Sequence, residues 1–344
     1  MNAPRSCASC DQTGCAMNAR HGVTELPAER AAFILDDIWP EYASMVAGIR
    51  RPADQLIAPG LVGRPGLARY AWPGAVEHRA TVETARRHLT MRRVAKAPGG
   101  VRQRAYLDRD AKLGAALAGR IDYRARHLVI AQNWLVPLDR AGVLGGRSYD
   151  VLMNRYPFAE IHRLLDRAAC EVGPSDTISD FRAPDVLVER ETRLLASARY
   201  IVTPHYGIGS LFPGQWTQLA WHRPPHGAAN RGERTAYLGP SLSRNRPDIA
   251  RRIALNLDQP LIVIGDSPGA SAWEGVMVEH RSRGPGMFDD VGRLIHPATM
   301  TTQPRALLTA LARGIVVCAT PPCGLAPEDY KPLSGFPAAP HPSQ

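Results

Sequence analysis

Three groups of residues have types and spacings that could do chemistry. The first sits ahead of Pro304, where Thr301, Thr302 and Gln303 precede an apolar run opened by Arg305. Proline suits the first helical position, because its missing N–H would be unpaired there anyway. The free N–H groups and dipole of such a helix start favour an anion, and Arg305 adds a formal charge. Taken alone, this is an ordinary strand–loop–helix unit with no ligand. The second group lies in TAYLGPSLSRNRPDIARRIAL, where Gly239 follows a strand, Arg244 and Arg246 occupy the loop, and a helix starts at Pro247. Two helix starts with Arg244, Arg246 and Arg305 nearby would hold a diphosphate between them, although each arginine singly reads equally well as a solvent-facing charge. Gly265, after LIVI, would let the backbone approach the same ligand.

The third group is Cys7-x2-Cys10-x4-Cys15 with His21 beyond it. Three thiolates and an imidazole match the ligand count of a tetrahedral zinc site, and three cysteines would also hold part of an iron–sulfur cluster. A redox-active tail is the alternative reading. Cys318 and Cys323, in CATPPC, read as small buried hydrophobes, and Cys170 carries no partner signal. Among single residues, His205 follows the strand IVTP as a candidate general base, and Asp36 and Asp37 end the first strand, where a base for an acceptor hydroxyl would sit. Gln132 and Asn133 end another strand on the same side. The plain alternatives are a hinge or core histidine and ordinary loop polarity.

These groups need elements to position them. Apolar β-rich runs at 31–37, 55–57, 127–132, 149–154 and 200–203 read as strands, and helical spacing covers 82–94, 107–121, 159–170 and 185–198. Arginines fall on the outer faces of the first two helices. A Gly-, Pro- and Trp-containing stretch, 205–234, reads as a linker. A second alternation follows: strands at 235–238, 261–264 and 276–279, helices at 248–257 and near 288–291, and then strand, loop, helix and strand over 293–325. Alternating strands and helices argue for parallel sheets. The expected organisation is a Cys-bearing arm over 1–25, an amino-terminal Rossmann-like domain over 26–204, the linker, a carboxyl-terminal Rossmann-like domain over 235–328 and a Pro-rich tail over 329–344.

Composition narrows the partners. The chain has 344 residues, 44% of them hydrophobic, enough for two domains with sizeable cores. Its net charge of +10 comes almost wholly from arginine, since lysine occurs only at Lys96, Lys112 and Lys331. Arginines spread over the whole length do not form a dedicated nucleic-acid face, whereas anionic nucleotide partners and contact with an anionic membrane surface are compatible with them. No apolar run reaches membrane-spanning length and the amino terminus lacks an export signal, so a soluble cytoplasmic protein is expected.

The segment Thr235–Leu325 resembles the carboxyl-terminal half of glycosyltransferases with two facing Rossmann-like domains, the GT-B fold, and particularly the retaining group 1 (family 4) enzymes. The similarity rests on YLG with its Arg-containing loop, LIVIG, FDDVGRLIHPA and ALLTALARGIVVCATPPCGL. It extends weakly to His127–Thr203 and not to the first hundred residues. The resemblance implies an α/β protein with two Rossmann-like domains across a cleft, a nucleotide-sugar donor bound mainly by the carboxyl-terminal domain, and an acceptor bound by the other. Arg244 or Arg246 would sit near the diphosphate, and the Thr301–Arg305 loop would approach the diphosphate and the sugar. Two departures stand out: the family usually carries glutamates flanking this helix, where this chain has TTQP and Thr309. A carboxylate accepts two ribose hydrogen bonds, whereas threonine offers one hydroxyl. The first strand also runs into LDDIWPEY with no glycine-rich loop. Two expectations follow, a hexosyltransferase-type enzyme or a non-catalytic scaffold of the same fold with a zinc or iron–sulfur arm.

Overall fold

Parallel neighbours in a sheet need a crossover between them, and the alternation of apolar strands with amphipathic helices supplies one each time. The computed structural model describes residues 25–60, 70–73, 76, 78–180, 182–225, 232–265 and 270–333. The first sheet has seven strands: β1 (Ala31–Ile34), β2 (Gln55–Ala58), β3 (His78–Arg79), β4 (His127–Ala131), β5 (Ser148–Leu152), β6 (Tyr200–Thr203) and β7 (Trp216–Gln218). Their order is β3-β2-β1-β4-β5-β6-β7, and every pair is parallel. The helices among them are α1 (Pro40–Ile49), α2 (Thr81–Arg93), α3 (Gly99–Ala118), α4 (Gln132–Arg140), α5 (Phe158–Val172), α6 (Asp176–Ser179), α7 (Asp185–Ala196) and α8 (Tyr206–Gly209).

The second sheet has six strands, β8 (Arg234–Leu238), β9 (Leu261–Ile264), β10 (Val278–Arg281), β11 (Val291–His296), β12 (Val316–Ala319) and β13 (Lys331–Pro332), in the order β10-β9-β8-β11-β12-β13. All of these pairs are parallel too, with α9 (Pro247–Ala254) and α10 (Arg305–Ala312) among the crossovers. Each sheet therefore reverses its winding at its first strand, between β1 and β4 and between β8 and β11. In open parallel sheets such points leave a crevice at the carboxyl ends of the strands.

Burial on both faces explains the continuous apolar runs. In β1, Ala32 and Ile34 enter one core while Ala31, Phe33 and the following Leu35 enter the other. In β9, Ile262 and Ile264 divide from Leu261 and Val263 in the same way.

Several local expectations change. The stretch 284–290 is a turn rather than a short helix, because Gly284, Gly286 and Asp290 take positive φ; Phe288 is nevertheless fully buried. Helix α3 starts at Gly99, eight residues before its apolar spacing becomes legible, since two glycines at its start have low helix propensity. Arg87 does not lie on an outer face of α2 but inside, beside Thr84. Within 205–234, Tyr206–Gly209 form one helical turn and Trp216–Gln218 pair with β6 as an edge strand. Beyond 328, β13 adds an edge strand to the second sheet.

Candidate functional site

The two switch points open onto one cleft of about 960 Å³ between the sheets. On the side of the second sheet, Leu238 and Gly239 bring the end of β8 to its wall. Gly239 has a φ of 145°, which a side chain would strain, so glycine is required where the chain leaves the strand. The loop beyond is fixed from inside: the Tyr237 hydroxyl donates to the Pro240 carbonyl at 3.1 Å, and Asn245 Nδ2 donates to the same oxygen at 2.9 Å. Arg244 and Arg283 line this wall. Burial lowers the Arg244 pKa, repulsion from Arg102 adds to that, and Asp180 opposes it. Gly265 stands behind the wall rather than on it. Its φ of 119° is one that side chains rarely adopt, so glycine is suited to the turn that leaves β9.

The end of β11 supplies the floor. His296 is buried, its Nδ1–H donating to the Leu238 carbonyl at 3.1 Å and its Nε2 accepting the Thr301 hydroxyl at 2.7 Å. Thr301, Thr302, Gln303, Pro304, Ala306 and Leu307 line the cleft. Pro304 is the cap of α10 rather than its first residue, and among the described residues no side chain caps the helix. The first-turn amides of α10 therefore begin at the cleft wall without a side-chain acceptor, which is the arrangement that favours an anion.

Arg305 and Arg246 are placed elsewhere. Arg305 crosses to α1 and grips Glu41 with both Nη atoms, each at 2.7 Å, and its guanidinium lies 5.1 Å from the Trp221 ring. Arg246, left-handed at φ 56°, caps α9 and pairs with Asp248 at 2.9 Å and with Glu171 of α5. Opposite charges close at hand outbid a diffusible ligand, so both arginines join the domains. Thr309 lies one turn into α10, its hydroxyl donating to the Arg305 carbonyl at 2.9 Å. It is not among the residues of the cleft wall.

On the side of the first sheet, Gln132 and Asn133 open α4 directly after β4 and reach the cleft as their position in the sequence implies. Asn133 Nδ2 donates to Asp36 Oδ2 at 2.6 Å. Arg87 is buried beneath them, with Nε 2.8 Å from Asp110 Oδ1, Nη1 3.6 Å from Asp36 Oδ1, and Nη1 donating to the Tyr70 hydroxyl at 2.7 Å. One guanidinium faces two carboxylates here. Asp110 lines the cleft, and burial pushes its carboxyl up to about 6; attraction to Arg87 opposes the shift and repulsion from Asp36 adds to it. Asp37 lies outside the cleft lining and acts on Arg87 electrostatically. Sequence reasoning missed Arg87 and Asp110, and the spacing of Thr84 and Arg87 carries no signal that separates them from the exposed pair Glu83 and Arg86 on the same helix.

His205 is wholly buried where the domains meet, away from the cleft wall. Its Nδ1 accepts the Ile208 N–H at 3.1 Å and its Nε2–H donates to the Thr301 carbonyl at 2.7 Å, so both nitrogens are committed. Burial lowers the pKa of His205 to about 4, and it does the same to His296. Both rings then remain neutral in the folded state while charging in the unfolded one. Their contribution to stability is present above about pH 6.5 and is lost as pH falls toward about 4. We expect acidification to about pH 5 to cost on the order of 2 kcal/mol per ring. Urea melts at pH 7 and pH 5 should show a flatter pH dependence for His205→Gln and for His296→Gln; slopes equal to wild type would exclude this origin.

The arm with Cys7, Cys10, Cys15 and His21 lies outside the described residues. Among the described residues no cluster of His, Cys, Asp or Glu could hold a metal ion. Cys323 is buried, and burial raises its thiol to about 12, as befits a packing residue.

Two parallel-sheet Rossmann-like domains with their switch points turned to one cleft define the GT-B architecture. No protein-family model matches the chain, and no curated protein matches it in sequence. Among solved structures it is similar to the apo form of the lipopolysaccharide outer core galactosyltransferase WaaB, with a TM-score of 0.46 and 11% identity over 88% of this chain and 84% of that one. It is also similar to sucrose-phosphate synthase from Thermosynechococcus elongatus, with a TM-score of 0.46 and 10% identity over 85% of this chain and 81% of that one. For WaaG, a glycosyltransferase involved in lipopolysaccharide biosynthesis, the TM-score is 0.42 and the identity 14%, over 86% of this chain and 82% of that one.

Proposed function

We propose that the chain transfers a sugar from a nucleotide-sugar donor to an acceptor hydroxyl, with the donor on the second domain and the acceptor on the first. The observation that carries this reading is the pairing of opposed chemistries across one cleft: uncapped helix amides and Arg244 on one wall, and the raised carboxyl of Asp110 on the other. A nucleoside diphosphate asks for the first, and a hydroxyl that must lose its proton asks for the second.

In this reading the donor diphosphate lies against the α10 amides, with Arg244 and Arg283 meeting its charge. Gly239 leaves room for close backbone approach, and Thr301, held in one orientation by His296, faces the sugar. The acceptor oxygen attacks the anomeric carbon, the bond to the diphosphate breaks, and the proton passes to the Asp110 carboxylate. Charge then develops on the departing diphosphate, where fixed amide dipoles and arginines stabilise it. Arg246 and Arg305 act by keeping the two walls in register.

Thermal melts with UDP-, GDP- and ADP-linked sugars test the donor half directly. One of them should raise Tm on the order of 5 °C at saturation. Arg244→Ala should abolish most of that gain. No stabilisation by any donor, or a gain indifferent to Arg244→Ala, would count against the reading.

A further inference from the structure

Helix α2 buries Thr84 and Arg87 and turns its opposite side to solvent. At 100° per residue, Val82, Arg86, Leu89 and Arg93 fall on one stripe, and Lys96 follows just beyond the helix. All five are exposed, Val82 by 63% and Leu89 by 53%. Apolar and cationic side chains thus alternate along one outward face. The charge around it is concentrated as well: residues 81–112 carry nine Arg and Lys against three acids, a net +6 of the chain's +10. The three acids pair within the helical hairpin, Glu83 with Arg86, Asp108 with Lys112 and Asp110 with Arg87. The excess of six therefore resides on Arg92, Arg93, Lys96, Arg102, Arg104 and Arg109, the last of which also stands 3.8 Å from Asp108.

We propose that the outer face of α2 seats the protein on an anionic membrane surface. Leucine and valine interleaved with basic residues gain by entering the boundary between headgroups and acyl chains, while arginines beside them reach lipid phosphates. A nucleic-acid duplex would reward the arginines but not Val82 or Leu89, and this favours the bilayer. The inner partner of α2 is α3, whose Tyr106, Leu107 and Asp110 line the cleft. Packed helices lie about 8–10 Å apart, so a seated α2 brings the cleft mouth within one helix of the lipid surface. The proposal stands on this face alone and does not depend on sugar transfer.

Co-sedimentation of the full chain with vesicles tests it. Vesicles of phosphatidylcholine and phosphatidylglycerol in equal parts should capture the protein, pure phosphatidylcholine vesicles should not, and added salt should weaken capture. Val82→Glu with Leu89→Glu, and separately Arg92→Gln with Arg93→Gln, should each lower the vesicle affinity at least about tenfold. These side chains are exposed, so melting temperatures should match wild type. Hydrogen exchange of the unaltered protein gives an independent reading, with slower exchange expected over 82–96 on anionic vesicles alone. Equal binding to both vesicle types would overturn the proposal. So would undiminished binding by the variants, unchanged exchange over 82–96, or tighter binding to duplex DNA than to anionic vesicles at the same salt.

Discussion

Glu41→Ala is expected to destabilise the native protein by about 3 kcal/mol, the largest loss anticipated for any single side chain at the domain interface. Glu41 is buried on α1 and accepts both Nη atoms of Arg305, each at 2.7 Å, together with the His222 amide at 2.6 Å. Alanine would strand that amide and leave a half-exposed guanidinium between Trp39 and Trp221. Burial alone would raise the Glu41 pKa, but the Arg305 and His222 hydrogen bonds outweigh it and hold the carboxyl below its ordinary value. The stability that Glu41 supplies is therefore present above the ordinary carboxylate range and lost as pH falls through the lowered value. Denaturant melts of Glu41→Ala, Arg305→Ala and the double variant should give a coupling energy of at least about 1 kcal/mol. Simple additivity would mean that the contact is bystander geometry.

Asp110→Asn should lower kcat/KM by about 100-fold if Asp110 receives the acceptor's proton. It should also erase an acid limb with an apparent pKa near 6, the value to which burial pushes this carboxyl. The stability sign is opposite to that of Glu41. A raised carboxyl binds its proton more tightly in the folded state, so its contribution is present at low pH and is lost as pH rises through about 6. Asp110→Asn should consequently leave the protein as stable as wild type, or more so, above that pH. A rate loss with the acid limb unmoved would assign Asp110 to positioning rather than proton transfer.

Much of the fold was legible because buried parallel strands leave continuous apolar runs, such as LIVI at 261–264 and HLVIA at 127–131. Edge strands were not, since Trp216–Gln218 and Lys331–Pro332 are short and half-buried or exposed. The Gly239 and Thr301–Gln303 loops announced themselves through glycine, a preceding strand and a following proline, and they reach the cleft. Arg246 and Arg305 had the right type and neighbourhood for a phosphate. Their partners, Glu171 and Glu41, lie on helices of the other domain, and no local pattern pairs residues so far apart. Asp110 was hidden for a related reason. Its pKa depends on Arg87 and Asp36 arriving from α2 and from the end of β1.

The ties between the domains also set an order of assembly. Glu41 and Arg305 are 264 residues apart, Glu41 and His222 181, Trp221 and Gly324 103, and His205 and Thr301 96. Each doubling of a closed loop costs about 0.6 kcal/mol of chain entropy, so in an unordered chain these contacts return least for what they close. Once each sheet has folded, the same partners are carried on rigid bodies and most of that entropy has already been spent. The Glu41–Arg305 clasp is thus expected to close late in folding, with the cleft taking its shape after both sheets are complete.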